Sequence, residues 1–373
     1  MPERDSLDLE LQAYIENGIN DDARFNELAL QLFDYQYRRN AAYRRFCRSR
    51  RAEPGRLLRW EQIPAVPLTA FKDLTLACEP PEDAAAVFMT SGSTDPSRRG
   101  RNYHPHLHLY DASLRAGFAR SFLPDRRTMR MLVLNPRPHQ QPNSSLAYFL
   151  GRLVDFFGTE DSAYLMDGDD LQIDKVVAAL REAETTGEPV ALLGTSFAYV
   201  HLLDALEQEG LTFHLPAGSR LLDTGGFKGR SREVSAEDLR ASFMQSFGIP
   251  APWCINYYGM TEISTQYYDN TLRDALLGRD IRSRHKTPPP WSRIRIIDPE
   301  TGANRPPGEK GLVVHYDLAN RGSCLAVLAE DSGYDVLTDN PEDGGFVLLG
   351  RAEGAEARGC SIALDEMLQA NRP

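Results

Sequence analysis

Short apolar runs alternate with helical runs through the middle of the chain, and this alternation constrains the fold more than any other feature. The apolar runs have the length of single buried strands: residues 131–134, 189–193, 220–222 and 254–257. The runs between and after them have the spacing of helices: residues 145–157, 173–185, 197–209 and 236–247. Strands that alternate with helices form a sheet covered by helical layers. The sequence therefore predicts an α/β fold.

The two ends of the chain differ from this middle region. Residues 7–50 have helical spacing and predict two surface-packed helices, within a helical lead-in that covers residues 1–60. Three prolines within residues 286–291 predict a turn into a β-rich section that runs to Gly350. A chain of 373 residues can bury a sizeable core, and we expect one large unit of two or three packed subdomains.

Charge and composition exclude several classes of protein. The formal net charge of −11 disfavours binding to nucleic acid or to an acidic membrane. No run approaches the roughly twenty apolar residues of a membrane-spanning helix, and the charged N-terminus does not resemble a signal peptide. The five cysteines are scattered and include no C-x-x-C pair, which predicts free thiols. We therefore expect a cytoplasmic protein.

A cluster of small hydroxyl and glycine residues follows the apolar run of residues 84–89. It is Thr90-Ser91-Gly92-Ser93-Thr94, and the N–H and O–H groups of such a loop can surround a phosphate. The cluster lacks the Gly-Lys-Ser/Thr ending of a P-loop NTPase. Clusters of this composition are more often ordinary loops, so the phosphate hypothesis depends on what accompanies the loop.

A second polar segment, Tyr258-Gly259-Met260-Thr261-Glu262, follows the predicted strand of residues 254–257. Its aromatic ring can stack on a base, its hydroxyl can contact a phosphate, and its carboxylate can coordinate Mg²⁺. The alternative for this segment is a strand-to-turn junction with a solvated Glu262.

Three histidines alternate along one segment. On an extended chain His104, His106 and His108 would project from one face as a possible metal site. No carboxylate at ligand spacing joins them, so we expect this segment to line or cover the site instead.

The two polar segments, taken in order, resemble the motifs of the adenylate-forming superfamily, which includes acyl-CoA synthetases, firefly-type luciferases and nonribosomal-peptide adenylation domains. Further matches follow in the same order at residues 223–226, 298–302, 308–314, 330–333 and 349–351. Within the superfamily, residues 66–368 most resemble the acyl-protein synthetases of bacterial luminescence operons. Those enzymes share a Gly-Gly-aromatic-Lys turn, here residues 225–228, and an Arg-Gly-Cys-Ser ending, here residues 358–361.

This resemblance implies an enzyme that uses ATP and Mg²⁺ to convert a carboxylic acid, in this family a fatty acid, into acyl-AMP. It also implies transfer of the acyl group to Cys360 as a thioester, for a partner such as an acyl-CoA-reductase-type enzyme. The implied nucleotide-binding residues are Thr90, Ser91, Gly92, Ser93, Thr94, Gly225, Gly226, Tyr258, Gly259, Thr261 and Asp331. The implied metal ligand is Glu262, and the implied catalytic residues are Cys360, Lys228 and Arg351.

The resemblance implies an adenylate-forming large domain over residues 1–345, built of α/β layers plus a β-rich section. Residues 346–373 would be a severely shortened C-terminal domain that carries Cys360. Only thirteen residues follow Cys360, so we do not expect the large mobile domain and catalytic lysine of typical relatives. The phosphate loop has Asp95 and Arg98 where relatives have glycine and lysine, and Asp339 competes with Asp331 for the ribose.

Cys360 follows Gly359 and stands two residues after Arg358, which predicts thiolate character and close approach of a substrate. Lys228 can meet a carboxylate or a phosphate, or be a solvated lysine. Two other functions stay open. One is a stand-alone ligase that delivers the acyl group to coenzyme A, a carrier protein or an amine, with Cys360 incidental. The other is a non-catalytic nucleotide-binding scaffold. A homo-oligomer or a hetero-oligomer is compatible with either.

Overall fold

The computed structural model of the protein describes residues 5–90, 98–225, 234–340 and 343–372. Its helices, in chain order, are α1 (Ser6–Asn17), α2 (Asp22–Arg39), α3 (Ala41–Ser49), α4 (Ala70–Asp73), α5 (His108–Ser121), α6 (Ser145–Phe157), α7 (Ile173–Thr186), α8 (Ser196–Gln208), α9 (Ala236–Phe247), α10 (Thr271–Leu276) and α11 (Ala355–Ala370). Its strands are β1 (Val66–Pro67), β2 (Ala86–Met89), β3 (Arg101–His104), β4 (Arg130–Leu134), β5 (Ala163–Tyr164), β6 (Met166–Asp167), β7 (Asp170–Leu171), β8 (Val190–Thr195), β9 (Arg220–Thr224), β10 (Cys254–Tyr258), β11 (Tyr267–Asp269), β12 (Lys286–Thr287), β13 (Ser292–Ile297), β14 (Gly311–Asp317), β15 (Ala326–Val336) and β16 (Gly345–Arg351).

The chain divides into two compact units. The first comprises Met1–Gly117, Gly259–Tyr267 and His285–Pro373, and the second comprises Phe118–Tyr258 and Tyr268–Arg284. The boundary between the units falls after Tyr258, so Tyr258 belongs to the second unit and residues 259–262 belong to the first. Each unit is therefore described by itself.

The second unit contains the predicted α/β layers, and their sheet is parallel. Its strands lie in the order β10-β9-β8-β4-β5, and every neighbouring pair is parallel. Helices α7, α8 and α9 bury their apolar faces in a core with these strands, through side chains such as Leu180, Leu202 and Phe243. The four predicted strands and four predicted helices of this region are confirmed, with bounds that differ by at most two residues.

The first unit contains the predicted β-rich section. Strands β13, β14, β15, β16 and β12 lie side by side in that order, with antiparallel neighbours, and β1 pairs with β15 in parallel. Strands β2 and β3 form a separate antiparallel pair. Helix α11 packs against α3, α4, β1 and β15, which places the C-terminal helix on this sheet.

The N-terminal region differs from the prediction of two surface helices. Residues 6–49 form three helices, because the side chain of Asn40 accepts a hydrogen bond from the Tyr43 N–H and starts α3 directly after α2. Leu11, Phe25 and Leu32 are fully buried, so these helices contribute to the core.

Two further findings concern the whole of the described chain. Within those ranges no helix is both long enough and apolar enough to cross a bilayer. All five cysteines are buried free thiols, as predicted.

Candidate active site

The first residue of the predicted phosphate loop is fixed by two hydrogen bonds to Gly100. Thr90 follows β2, its N–H donates to the Gly100 carbonyl across 3.0 Å, and its Oγ1 accepts from the Gly100 N–H across 2.9 Å. These bonds continue the β2–β3 pairing by one step, so Thr90 is held by strand geometry. Ser91, Gly92, Ser93, Thr94 and Asp95 lie outside the described residues.

Gly100 is the point where Thr90 and Glu262 meet. A methyl group placed on Gly100 would lie 3.1 Å from Thr90 Cγ2 and 3.3 Å from Glu262 Oε1. Residues 90 and 262 are far apart in the sequence, but the fold of the first unit places both of their side chains beside Gly100. Thr90 and Glu262, one from each motif, therefore lie side by side, and a side chain on residue 100 would crowd both.

Glu262 is a buried carboxylate. It is 2 % exposed, and its Oε1 has no hydrogen-bond partner among the described residues. Burial raises its pKa to about 7, while the positive charges of Arg351 and Lys72 lower it and the charge of Glu330 raises it. The alternative of a solvated Glu262 is therefore wrong.

Buried polar side chains fix the backbone around Glu262. Asn102 Nδ2 donates to the Thr261 carbonyl across 3.0 Å, and Asn320 Nδ2 donates to the Glu262 carbonyl across 2.8 Å. The carboxylate of Asp317 accepts from the N–H groups of Ser264 and Thr265, both at 2.8 Å. These contacts hold the loop after Gly259 in place, so the carboxylate of Glu262 is pre-positioned.

Sequence reasoning missed these supporting residues. Asn102 and Asn320 belong to no recognisable motif, and they contact residues 159 and 58 positions away. Lys72, on α4, belongs to none of the motifs above, yet its charge lowers the pKa of Glu262. The sequence does offer one reason to single out Lys72, because lysine is much rarer than arginine in this chain.

Asp331 and Arg351 face each other across the antiparallel β15–β16 pair. Asp331 lies in register with Arg351, and their Oδ1 and Nε atoms are 3.9 Å apart. The guanidinium of Arg351 also donates to Glu330 Oε2 across 2.8 Å. Asp339, the competing candidate, lies after the end of β15 at an exposed position.

Cys360 lies on α11 and is 7 % exposed, with its thiol donating to the Ala329 carbonyl oxygen across 3.6 Å. Burial and, after it, the negative charges of Glu330 and Asp331 together raise its pKa to about 11. The prediction of thiolate character is therefore wrong for this conformation, because burial and two carboxylates distant in sequence favour the neutral thiol. The side chain of Arg358, on which that prediction rested, lies outside the described residues. Gly359 does permit a close approach, but the neighbour is Pro299 of the same chain and not a substrate. A Cβ on residue 359 would lie 2.7 Å from Pro299.

The second unit holds the adenine-side candidates. Thr224 and Tyr257 are paired in the β9–β10 register, so Gly225 and Tyr258, the next residue of each strand, stand at the same edge of the parallel sheet. Ligands of parallel α/β sheets bind at this carboxyl edge. Gly226 and Lys228 lie outside the described residues.

A buried carboxylate supports this edge. Asp223 Oδ2 accepts from the Ser196 hydroxyl at 2.8 Å and from Asn256 Nδ2 at 3.1 Å. Ser196 Oγ also lies 2.9 Å from the Thr224 carbonyl. The three side chains come from the ends of neighbouring strands and tie the backbone before Gly225 to the sheet.

The histidines do not lie together on one extended strand. A helix starts at His108, so only His104 lies on a strand, where it is buried against Phe88 and its pKa is lowered by burial to about 4. His108 lies 2.7 Å from Asp8 instead. Among the described residues no group of three histidine, cysteine or acidic side chains can hold a metal ion.

Solved structures identify the class of fold. The protein is similar to an open conformation of 2-hydroxyisobutyryl-CoA ligase in complex with 2-HIB-AMP and CoA, with a TM-score of 0.65 at 15% identity over 88% of this chain and 70% of that chain. It is also similar to McyG A-PCP complexed with phenylalanyl-adenylate, with a TM-score of 0.51 at 18% identity over 74% of this chain and 42% of that chain. The fold is that of the adenylate-forming enzymes.

Sequence comparison gives the family. A family model described as acyl-protein synthetase, LuxE, matches residues 12–369, and the chain belongs to this family. The long-chain-fatty-acid–luciferin-component ligase of Aliivibrio fischeri is 21% identical over 93% of this chain and 89% of its own length. The protein of the same name from Vibrio harveyi is 20% identical over 91% of this chain and 86% of its own. The resemblance found from the motifs is confirmed.

Proposed function

We propose that this protein activates a fatty acid with ATP to give acyl-AMP and then transfers the acyl group to Cys360 as a thioester. Membership of the acyl-protein synthetase family supports this reaction, and the names of the two relatives support the fatty acid. The observation that carries the assignment of the site is the convergence of Thr90 and Glu262 at Gly100.

In the first half-reaction a carboxylate oxygen attacks the α-phosphorus of ATP. A new oxygen–phosphorus bond forms, the bond to the bridging oxygen breaks, and pyrophosphate leaves. The enzyme positions the reactants and neutralises charge. We assign the phosphates to Thr90, Ser91, Gly92, Ser93 and Thr94, the adenosine to Gly225, Gly226, Tyr258, Gly259, Thr261 and Asp331, and charge neutralisation to Lys228 and Arg351.

We assign Mg²⁺ to Glu262. An anionic oxygen that is buried without a hydrogen-bond partner among the described residues is costly unless a cation compensates it, so this carboxylate fits a divalent ion. When bound, Mg²⁺ would offset the charge of the phosphates. Asn102 and Asn320 would keep the carboxylate in place while substrates enter.

In the second half-reaction the sulfur of Cys360 attacks the acyl carbon. The bond from that carbon to the phosphate oxygen breaks, AMP leaves, and the thiol proton is released. A sulfur that is 7 % exposed cannot reach an acyl-adenylate where it lies. The step therefore needs α11 to shift from its position on β15.

We further propose that residues 1–345 carry out adenylation and residues 346–373 carry the acyl group to an acceptor such as an acyl-CoA-reductase-type enzyme. This activity would take place in the cytoplasm, where ATP is supplied. The burial and raised pKa of Cys360 favour one alternative, a stand-alone ligase that delivers acyl-AMP to coenzyme A, a carrier protein or an amine.

One experiment separates the two functions. The protein is incubated with ATP, Mg²⁺ and a labelled fatty acid, and we expect a protein-bound label that neutral hydroxylamine releases. Cys360→Ser should keep acid-dependent ATP–pyrophosphate exchange and lose the label. Cys78→Ser, which changes another buried thiol, should keep both. Exchange without any protein-bound label would favour the stand-alone ligase, and a label that persists in Cys360→Ser would place the acyl group on another residue. A protein without exchange for any acid would refute both functions.

A further inference from the structure

Residues 38–51 form a strongly basic stretch. They include seven arginines and no acidic residue: Arg38, Arg39, Arg44, Arg45, Arg48, Arg50 and Arg51. Because the whole chain carries −11 and this stretch carries +7, all other residues together carry −18. Positive charge is thus concentrated on a protein that is otherwise acidic.

These arginines form one outer surface, which we call the basic face. Helix α3 buries its apolar side, with Tyr43 and Phe46 fully enclosed. Six of the seven arginines are exposed and Arg44 is half-buried. The basic face is therefore accessible, and its helix is fixed by the core.

Most of this charge is not neutralised within the described chain. Arg38 pairs with Asp34 and Arg50 pairs with Glu366. The other five arginines have no carboxylate partner among the described residues. Arg44 donates to a carbonyl, Arg45 to an amide, Arg48 to a tyrosine hydroxyl, and Arg39 lies over a ring. Arg44 and Arg48 are one turn apart, and such a like-charge pair destabilises a helix.

The basic face adjoins the helix that carries Cys360. Arg45 Nε donates to Asn371 Oδ1 across 2.8 Å, just after the end of α11, and Arg50 forms its ion pair with Glu366 on α11 itself. The basic face therefore borders the C-terminal part of the helix that carries Cys360, and a partner bound there would also lie against α11.

We infer that the basic face is the docking surface for an acidic protein that accepts the acyl group from Cys360. This inference rests on the proposed function. Arginine forks bind carboxylates with two parallel hydrogen bonds and are frequent at protein interfaces. Helix α3 has nine residues and is about 13 Å long. A helix of this length is small enough to lie within one side of an ordinary protein interface, which buries about 800 Å² on each partner. A nucleic acid or an anionic bilayer would extend beyond the basic face and meet the net negative remainder of the chain.

The test compares two acceptor peptides that differ only in charge. One has an N-terminal cysteine followed by a glutamate-rich segment, and the other has glutamine at each glutamate position. The rate of acyl transfer from Cys360 to each peptide is measured at low ionic strength. We expect the acidic peptide to react about tenfold faster or more, because complementary charge raises association rates. High salt should remove the difference.

The variant that removes the docking charge is Arg39→Glu/Arg44→Glu/Arg48→Glu, none of which contacts α11 in the hydrogen bonds and ion pairs above. It should bring the ratio of the two rates close to one and leave pyrophosphate exchange unchanged. The variant Arg39→Gln/Arg44→Gln/Arg48→Gln removes the positive charge without adding negative charge. Comparing it with the glutamate variant shows whether the ratio changes through loss of charge or through damage to α3. A control with equal charge change, Arg127→Glu/Arg181→Glu/Arg282→Glu, alters exposed arginines of the second unit and should keep the ratio.

A ratio that falls equally in both triple variants, or in neither, overturns the inference. So does tighter binding of a 12-nucleotide RNA or of phosphatidylglycerol vesicles than of the acidic peptide. If the wild-type protein forms no thioester, the proposed function fails. Binding of the fluorescent acidic peptide, measured by anisotropy, then still decides whether the basic face recognises acidic protein, because that measurement needs no acyl group.

Discussion

The thiol of Cys360 points at the Ala329 carbonyl oxygen, 3.6 Å away, on the strand whose next two residues are carboxylates. The carboxylates of β15 therefore act on this sulfur, while the side chain of Arg358, two positions before it in sequence, lies outside the described residues. Because Glu330 and Asp331 are negative, they oppose ionisation of the thiol that we propose as the acyl acceptor.

The first prediction concerns the reactivity of this thiol. With a pKa of about 11, Cys360 should react with iodoacetamide at pH 8 about a hundredfold more slowly than an ordinary cysteine, and its rate should still be rising above pH 9. Glu330→Gln removes a negative charge and frees Arg351, so the pKa should fall and the rate should rise. Peptide mass spectrometry over a pH series measures both. Glu353→Gln is the control, and an equal effect of both changes would contradict the prediction.

The second prediction concerns stability and pH. The pKa of Glu262 is about 7 in the folded protein and near 4.5 in the unfolded chain. Below pH 4.5 both states are protonated, and as the pH rises to 7 only the unfolded state gains by ionising, so stability falls. Glu262→Gln cannot ionise, and we expect it to melt higher than wild type at pH 8 but not at pH 4.5.

The same variant tests the metal assignment. Mg²⁺ should raise the melting temperature of the wild-type protein at pH 8 and leave that of Glu262→Gln unchanged, since a ligand stabilises only the state that binds it. Pyrophosphate exchange should fall about a hundredfold in the variant. Glu309→Gln, at an exposed position, is the control. Equal stabilisation of both proteins by Mg²⁺ would mean that the ion binds elsewhere.

The third prediction concerns the contact at Gly100. Gly100→Ala places a methyl group 3.1 Å from Thr90 Cγ2 and 3.3 Å from Glu262 Oε1, so both side chains must move. We expect pyrophosphate exchange to fall about tenfold or more, with the fold retained. Adding Thr90→Ser removes the nearest methyl and keeps the hydroxyl that binds the Gly100 N–H, so the double variant should recover part of the rate. No recovery would mean that the crowding at Thr90 is not the cause.

The fourth prediction concerns the second unit. Ser196→Ala removes a hydroxyl that contacts both Asp223 and the carbonyl of Thr224, next to Gly225. A hydrogen bond to a charged group contributes about 1.5 kcal/mol or more, so we expect KM for ATP to rise about tenfold and kcat to change less. Ser242→Ala, which removes an exposed hydroxyl of α9, should change neither. A change confined to kcat would contradict a role in nucleotide binding.

The strands of the second unit were predictable because a buried parallel strand is a nearly continuous apolar run, as in residues 131–134. The third N-terminal helix was not predicted, although Asn40 is a residue type that starts helices. Its capping role becomes visible only once the turn between α2 and α3 is known.

The site was predictable only in part. Motifs identify Thr90 and Glu262 because both lie in short stretches with characteristic order. Asn102, Asn320 and Asp317 support the same loop from distant parts of the chain, and no local pattern distinguishes them from other buried polar residues. The thiolate character of Cys360 was predicted wrongly because neither its burial nor the nearness of Glu330 and Asp331 can be read from the local sequence.

Under the proposed function, strand β15 would take part in both half-reactions within three consecutive residues, because the Ala329 carbonyl accepts from the thiol and Asp331 stands opposite Arg351. A substitution that moves this part of β15 is therefore expected to affect both steps. Exchanging the C-terminal helix alone between two such enzymes would change what packs against β15, so the exchange should alter adenylation as well as acyl transfer.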